Sequence, residues 1–190
     1  MNYITFDIET YSPSELDSIN TNEFRVSVAG AYFSWLDKYV AFMEKDIQDL
    51  INLMEKADLI IGYNQLWFDL PVLQKYTTAN LLKLPNYDIL VEFQKVSGFR
   101  SKLDDLCKAN FTDDLKTDSY QKYRHYHKEG KWLELVDYCM NDVRLTEALF
   151  KKILKDQKLF YLDLHQKKEV ILSKPQFISQ QLQAQDEGFF

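Results

Sequence analysis

Tyr3-Ile4-Thr5-Phe6-Asp7-Ile8-Glu9-Thr10 alternates in character, with Ile4, Phe6 and Ile8 on one side and Thr5, Asp7 and Glu9 on the other. That period of two predicts a half-buried strand, and it points Asp7 and Glu9 the same way. Residues two apart on a strand lie roughly 6.5–7 Å apart, so the two carboxylates can address one cation without having to share a proton. A hard, oxygen-seeking ion such as Mg²⁺ or Mn²⁺ would relieve their mutual repulsion. Taken alone, the pair is better read as a solvated strand edge, because two acids two apart on a strand often arise by chance.

Two further clusters make chance a poorer account. Asp58-Leu59-Ile60-Ile61-Gly62-Tyr63 is a short apolar run closed by glycine and reads as a buried strand. From Asn64 to Tyr76 the chain reads as a turn leading into a helix, with Pro71 tolerated in its first turn. Asp69 then lies at or beside a helix N-terminus. Capping would account for Asp69 by itself, but not for Asn64 or the Trp67-Phe68 pair. The strongest helical pattern runs from Lys131 to Lys155, where Tyr138 and Asp142 share a stripe with Leu135, Leu145 and Leu149. An acid on an apolar stripe needs a metal, a cation or hydrogen bonds. Tyr138, one turn earlier on that face, can address the same site. The plainer alternative is a surface-edge aspartate beside a core tyrosine. Converging on divalent ions, four such carboxylates could hydrolyse a phosphodiester.

The remaining pattern predicts an α/β fold, a central mixed β-sheet flanked by helices. Strands are expected near 3–8, 26–35 and 38–43 as an antiparallel meander, then a helix near 46–57 and a strand near 58–62. Helices should dominate from Leu66 to Lys155, with a short strand near 88–91. Residues 159–172 predict a terminal hairpin or strand, and 175–190 a short helix followed by a tail. With 190 residues, 46% of them hydrophobic, and only 5 glycines and 4 prolines, the chain can bury one sizeable core. No repeat, low-complexity tract, signal peptide or membrane-length apolar run is visible, so no membrane role is expected.

Asp7-x-Glu9, Asn64-x-x-x-Phe68-Asp69 and Tyr138-x-x-x-Asp142 resemble the three motifs of DEDDy-type 3′-to-5′ exonucleases of the RNase H-like superfamily. The stretch Gly62-Tyr63-Asn64 through Phe68-Asp69-Leu70-Pro71 is similar to the proofreading domains of family B DNA polymerases. Tyr87-Asp88-Ile89-Leu90, Leu103-Asp104-Asp105-Leu106-Cys107 and Lys131-Trp132 look closer to stand-alone or helicase-associated exonucleases of that superfamily. The histidine subclass would carry histidine where this chain has Asp137, so the chain fits the tyrosine one. The resemblance covers about residues 1–155.

It implies an RNase H-like fold and two-metal hydrolysis with Mg²⁺ or Mn²⁺. Asp7 would bridge both ions, Glu9 and Asp142 would help hold the one that activates water, and Asp69 would support the other. Tyr138 would orient the attacking water, since a phenol of ordinary pKa about 10 is a poor base at neutral pH. Asn64 and Phe68 would approach the terminal nucleotides, Phe68 by base stacking; Phe68 equally suits the core. The expected substrate is the 3′ end of single-stranded DNA in preference to RNA, with a polymerase or helicase as an open partner and DNA repair as a setting. The domain is expected to span 1–172, with 173–190 a C-terminal extension. An RNase H-like endonuclease and a noncatalytic nucleic-acid-binding module are the alternatives.

Weaker signals complete the reading. Residues 120–131 mix aromatic and basic side chains (Tyr123, Arg124, His125, Tyr126, His127, Lys128) that could guide a phosphate backbone or form a solvated amphipathic segment. Lys116 is a lesser candidate of the same kind. His125-x-His127 lacks further ligands at zinc spacing. Asp88 suits a helix cap or a supporting role, and Asp104 and Asp105 suit a helix start. Cys107 and Cys139 form no disulfide framework, which fits a reducing cytoplasm. The net charge of −6 argues against a tight structural binder of nucleic acid, although discounting the four proposed ligands leaves −2.

Overall fold

The computed structural model describes residues 1–12, 23–111, 126–164 and 166–175. Strands β1 (Tyr3–Tyr11), β2 (Arg25–Phe33) and β3 (Lys38–Met43) form the antiparallel meander expected from the alternation. Helix α1 (Ile47–Met54) then carries the chain to β4 (Leu59–Gly62), which pairs parallel to β1. After α2 (Asp69–Leu73), β5 (Asn86–Asp88) pairs parallel to β4 and closes a five-stranded mixed sheet of order β3-β2-β1-β4-β5. Helices α3 (Ile89–Ser97), α4 (Leu103–Asn110) and the long α5 (Trp132–Asp156) follow, then a separate hairpin of β6 (Lys158–Asp163) and β7 (Gln166–Ile171). This is an α/β, RNase H-like fold. Lys116, the 120–125 part of the basic segment including Tyr123, Arg124 and His125, and the helix expected beyond residue 175 lie outside the described residues.

Two expectations need correction. The strand expected near 88–91 lies at Asn86–Asp88, because the Asp88 carboxylate accepts the Leu90 and Val91 N–H groups and starts α3 there. Strand β1 is also buried on both faces rather than one. Ile4, Phe6 and Ile8 pack with Phe33, Leu50, Ile51 and Leu70 on the α1–α2 side. On the opposite face α5 covers Tyr3, Thr5, Asp7 and Glu9, so central position in a sheet with helices on both sides overrides the solvated look of the alternation.

That polar face is held to α5 by hydrogen bonds. Glu147, buried on α5, accepts from Tyr3 Oη at 2.8 Å and Thr5 Oγ1 at 2.7 Å, and pairs with Lys151 Nζ at 3.1 Å. Further along, Gly30 on β2 stands opposite Asp7 and faces α5. A Cβ there would lie 3.0 Å from Val143 Cγ2 and 3.2 Å from both Cys139 Sγ and Met140 Sδ. The absent side chain thus lets α5 descend onto the sheet beside Asp7. Gly30→Val is expected to cost about 1–3 kcal/mol by overpacking this contact; a thermal melt within error of the unaltered protein would show that the helix can retreat freely.

Candidate functional site

Strand β1 and helix α5 run antiparallel across one face of the sheet. Glu147 meets Tyr3 and Thr5, Cys139 Sγ lies 3.4 Å from the Asp7 carbonyl oxygen, and Tyr138 and Asp142 flank that point on α5. Asp7 and Glu9 share the face of β1 toward α5, opposite Gly30 and Val28 respectively. Asp69 arrives from a third element, at the first residue of α2. Its Oδ1 accepts the Ile8 N–H at 3.2 Å, so the peptide between Asp7 and Glu9 fixes where Asp69 points.

The turn before α2 is built to present that aspartate. Gly62 gives way to Gln65, whose Cβ and Oε1 would lie 2.8 and 2.5 Å from a Cβ at that position. Gln65 Nε2 donates to the Ile60 and Tyr87 carbonyls, tying the turn to the ends of β4 and β5. Asn64 takes a left-handed φ of 68°, a region tolerated by asparagine. The Asp88 carboxylate accepts the Asn64 and Leu66 N–H groups at 2.9 and 3.0 Å while also capping α3. Asp88 therefore fills both roles open to it from the sequence. Asn64 accepts a bond from Arg100 Nη2 at 2.6 Å, and half-buried Phe68 pairs with Phe24 at 5.7 Å between ring centroids.

Burial and mutual repulsion dominate the electrostatics of the cluster. Desolvation, then the charges of Asp69, Glu9 and Asp142, push Asp7 well above the ordinary carboxylate range. Glu9 is pushed up likewise by desolvation and by Asp142 and Asp69. Burial raises Asp69 to about 7, opposed by the backbone N–H groups of Asp69 itself and Ile8. Asp142 is raised to about 7 by desolvation and Asp104, against a hydrogen bond from Tyr138. Desolvation and the nearby Asp142, Glu9 and Asp7 keep the Tyr138 phenol well above its usual value, hence protonated at neutral pH. Among the described residues no lysine or arginine forms an ion pair with any of the four carboxylates.

Asp7, Glu9 and Cys139 each offer a ligand atom, all within 4.8 Å of one another. Mutually repelling carboxylates, Glu9 and Asp69 buried and Asp7 and Asp142 half-buried, offer hard oxygen donors that fit a divalent cation such as Mg²⁺ or Mn²⁺. The expected residues Asp7, Glu9, Asp69, Tyr138 and Asp142 thus come together on three elements, while Asn64 and Phe68 lie on the turn leading to Asp69. Sequence reasoning missed Cys139 as a neighbour of Asp7, though its adjacency to Tyr138 on the helix was a signal. It also missed Glu147 and Arg100, which nothing in local pattern singles out.

No protein-family model matches the sequence, and no curated protein matches it. Among solved structures the fold is similar to that of the family B DNA polymerase from the hyperthermophilic archaeon Pyrobaculum calidifontis, with a TM-score of 0.64 and 19% identity. The likeness covers 80% of this chain and 24% of the polymerase chain, so this chain matches about a quarter of that protein's length. At this identity the likeness carries the fold alone. No helix among the described residues is long and apolar enough to cross a membrane.

Proposed function

We propose that this chain is a metal-dependent 3′-to-5′ exonuclease of the DEDDy type, acting on single-stranded DNA in preference to RNA. The observation that carries the reading is the meeting of four carboxylates, Asp7, Glu9, Asp69 and Asp142, with no lysine or arginine partner among the described residues and with Tyr138 bonded to one of them. Similarity to a DNA polymerase supports DNA as the polymer. The buried Tyr3–Thr5–Glu147 contact, which closes β1 against α5 on one side of the carboxylates, supports an end over the middle of a strand.

Asp7, Glu9 and Asp142 would hold one divalent ion, and Asp7 with Asp69 a second. Bound there, the ions would supply Lewis-acid stabilisation of charge on the attacking and leaving oxygens. Tyr138, protonated and anchored through Asp142, orients the attacking water by its hydroxyl rather than removing a proton. Asn64 and Phe68 approach the terminal nucleotides, with Arg100 holding the Asn64 amide. Residues 1–172 form the catalytic domain and 173–190 an extension; a polymerase or helicase could deliver the strand.

The test uses 5′-labelled single-stranded DNA and RNA with Mg²⁺ or Mn²⁺, with EDTA and Asp7→Ala as controls. A ladder shortening from the 3′ end that Asp7→Ala and EDTA both remove is the expected result. Cleavage of closed circular strands would replace the reading with an endonuclease, and no metal-dependent cleavage would leave a noncatalytic binding module. Tyr138→Phe is expected to lower kcat about 10²-fold through misplaced water, with KM little changed. Equal loss in KM would assign the tyrosine to substrate binding instead.

A further inference from the structure

A cavity of about 300 Å³ opens where the end of β1, the start of β2 and the turn after β3 meet His127 and the first residue of α5. Its lining includes Tyr11, Ser27, Glu44, Lys45, His127 and Trp132. Three aromatic rings dominate it. Tyr11 and His127 stack at 4.2 Å between centroids with 14° between planes, and Trp132 meets His127 edge-on at 5.2 Å. Tyr11 is fixed by its hydroxyl, which donates to the lining residue Glu44, and Glu44 in turn pairs with Arg25. Trp132 is 42% exposed, so one wall faces solvent.

One polar group lies buried among the lining residues with nothing to bond to. The register of β1 and β2 slips between Glu9 and Thr10, which leaves Ser27 as the extra residue of a bulge. Its Oγ is buried, in a side chain only 3% exposed, without a hydrogen-bond partner. Flat aromatic walls and a lysine at an exposed position are groups that recognise a nucleobase and its phosphate, and the Glu44 charge is met by Arg25 at 3.3 Å. Burial also lowers the His127 pKa, which keeps the imidazole a neutral stacking surface.

The pocket continues the carboxylate face. Tyr11 stands two residues past Glu9 on the same side of β1, roughly 6.5–7 Å on. Trp132 stands six residues before Tyr138, about 9 Å along the helix. At the other end Tyr3, Thr5 and Glu147 fill the space between strand and helix, so a strand whose end reaches the carboxylates departs toward the pocket. We propose that the Tyr11–His127–Trp132 pocket is a stacking subsite for an upstream base of the substrate strand, two or three nucleotides from the 3′ end. This rests on the exonuclease reading for its polarity.

The test measures binding, not turnover. Ten-residue oligothymidylates with a 5′ fluorophore and a single abasic residue stepped from the 3′ end are titrated by anisotropy with Ca²⁺ in place of Mg²⁺. The unaltered protein should lose roughly tenfold affinity when the abasic residue reaches one position, the size expected of a base stacked on an aromatic ring. Trp132→Ala should lose a similar factor on the intact oligomer and show no such position, while Trp132→Phe keeps it. Unchanged melting of both variants excludes unfolding as the cause. A flat profile from protein that still shortens DNA from the 3′ end overturns the subsite and leaves the nuclease reading. A peaked profile without cleavage keeps the subsite as a base-binding site and removes the nuclease; a peak that persists in Trp132→Ala overturns it.

Discussion

Asp7→Asn should abolish metal-dependent cleavage and, in the absence of metal at pH 8, raise the melting temperature. The two effects have one cause. Asp7 is pushed up by desolvation and by Asp69, Glu9 and Asp142 together, so its charge is the most crowded in the cluster. Asparagine keeps the shape, removes that charge and would not serve as the carboxylate proposed to hold the cations. Losing several kcal/mol of transition-state stabilisation, at about 1.4 kcal/mol per tenfold in rate, predicts a fall of at least about a thousandfold. The pH dependence follows from Asp69 and Asp142, raised to about 7 from an unfolded value near 3.9. Between those limits the native metal-free protein binds more protons than the unfolded chain, so its stability falls as pH rises from about 4 to about 7. Mg²⁺ or Mn²⁺ at pH 8 should restore it, by about 2.7 kcal/mol at a hundred times the dissociation constant. Calorimetry at pH 5 and 8, with and without metal, checks all three signs. A metal-free melt that rises with pH would show that the carboxylates do not repel one another in the folded state.

Much of this arrangement is legible in local pattern. The meander appears as alternation, and α5 as a long stripe whose ends fall one residue from the expected Lys131 and Lys155. Of the candidate site residues, Asp142 stands out as an acid on an apolar helical stripe and Asp69 as an acid at a helix start, while Asp7 and Glu9 look like the ordinary polar side of a strand. What local pattern does not carry is what covers them. Thr5, Asp7 and Glu9 look like a wet face because their cover, α5, begins more than 120 residues later. Asp88 reads as a helix cap because its bonds to Leu90 and Val91 are local, whereas its bonds to Asn64 and Leu66 cross from a neighbouring strand end. Gly30 is silent in the same way, since the need for a missing side chain exists only once α5 lies on β2. Phe68, open between core and substrate, keeps one aromatic neighbour in Phe24 while remaining half-buried, which serves both readings.

The spacing between the strand and helix halves of the candidate site is expected to depend on a residue outside it, and Glu147→Ala is the variant that tests this. Glu147 is 2% exposed and takes both hydroxyls of the β1 face that precede Asp7 and Glu9, Tyr3 at 2.8 Å and Thr5 at 2.7 Å. Alanine would leave two buried hydroxyls and the Lys151 ammonium without their shared acceptor. Leaving a buried hydroxyl without its acceptor costs about 1–3 kcal/mol each, the half-exposed Lys151 adding little, which at roughly 2–4 °C per kcal/mol lowers the melting temperature by about 10 °C. The consequence for function is geometric. With the clamp gone, α5 can slide along β1, and Tyr138 and Asp142 on the helix lose their register with Asp7 and Glu9 on the strand. Metal affinity should therefore fall in Glu147→Ala even at temperatures where it is fully folded, although Glu147 touches no proposed ligand. Glu147→Gln, which still accepts one hydroxyl, should recover part of both losses. Titration of Mn²⁺ by its paramagnetic relaxation of water, at a temperature well below the melt of the weakest variant, separates the two effects. Unaltered Mn²⁺ affinity in a destabilised Glu147→Ala would show that Gly30 and the apolar contacts of α5 hold the register without the clamp.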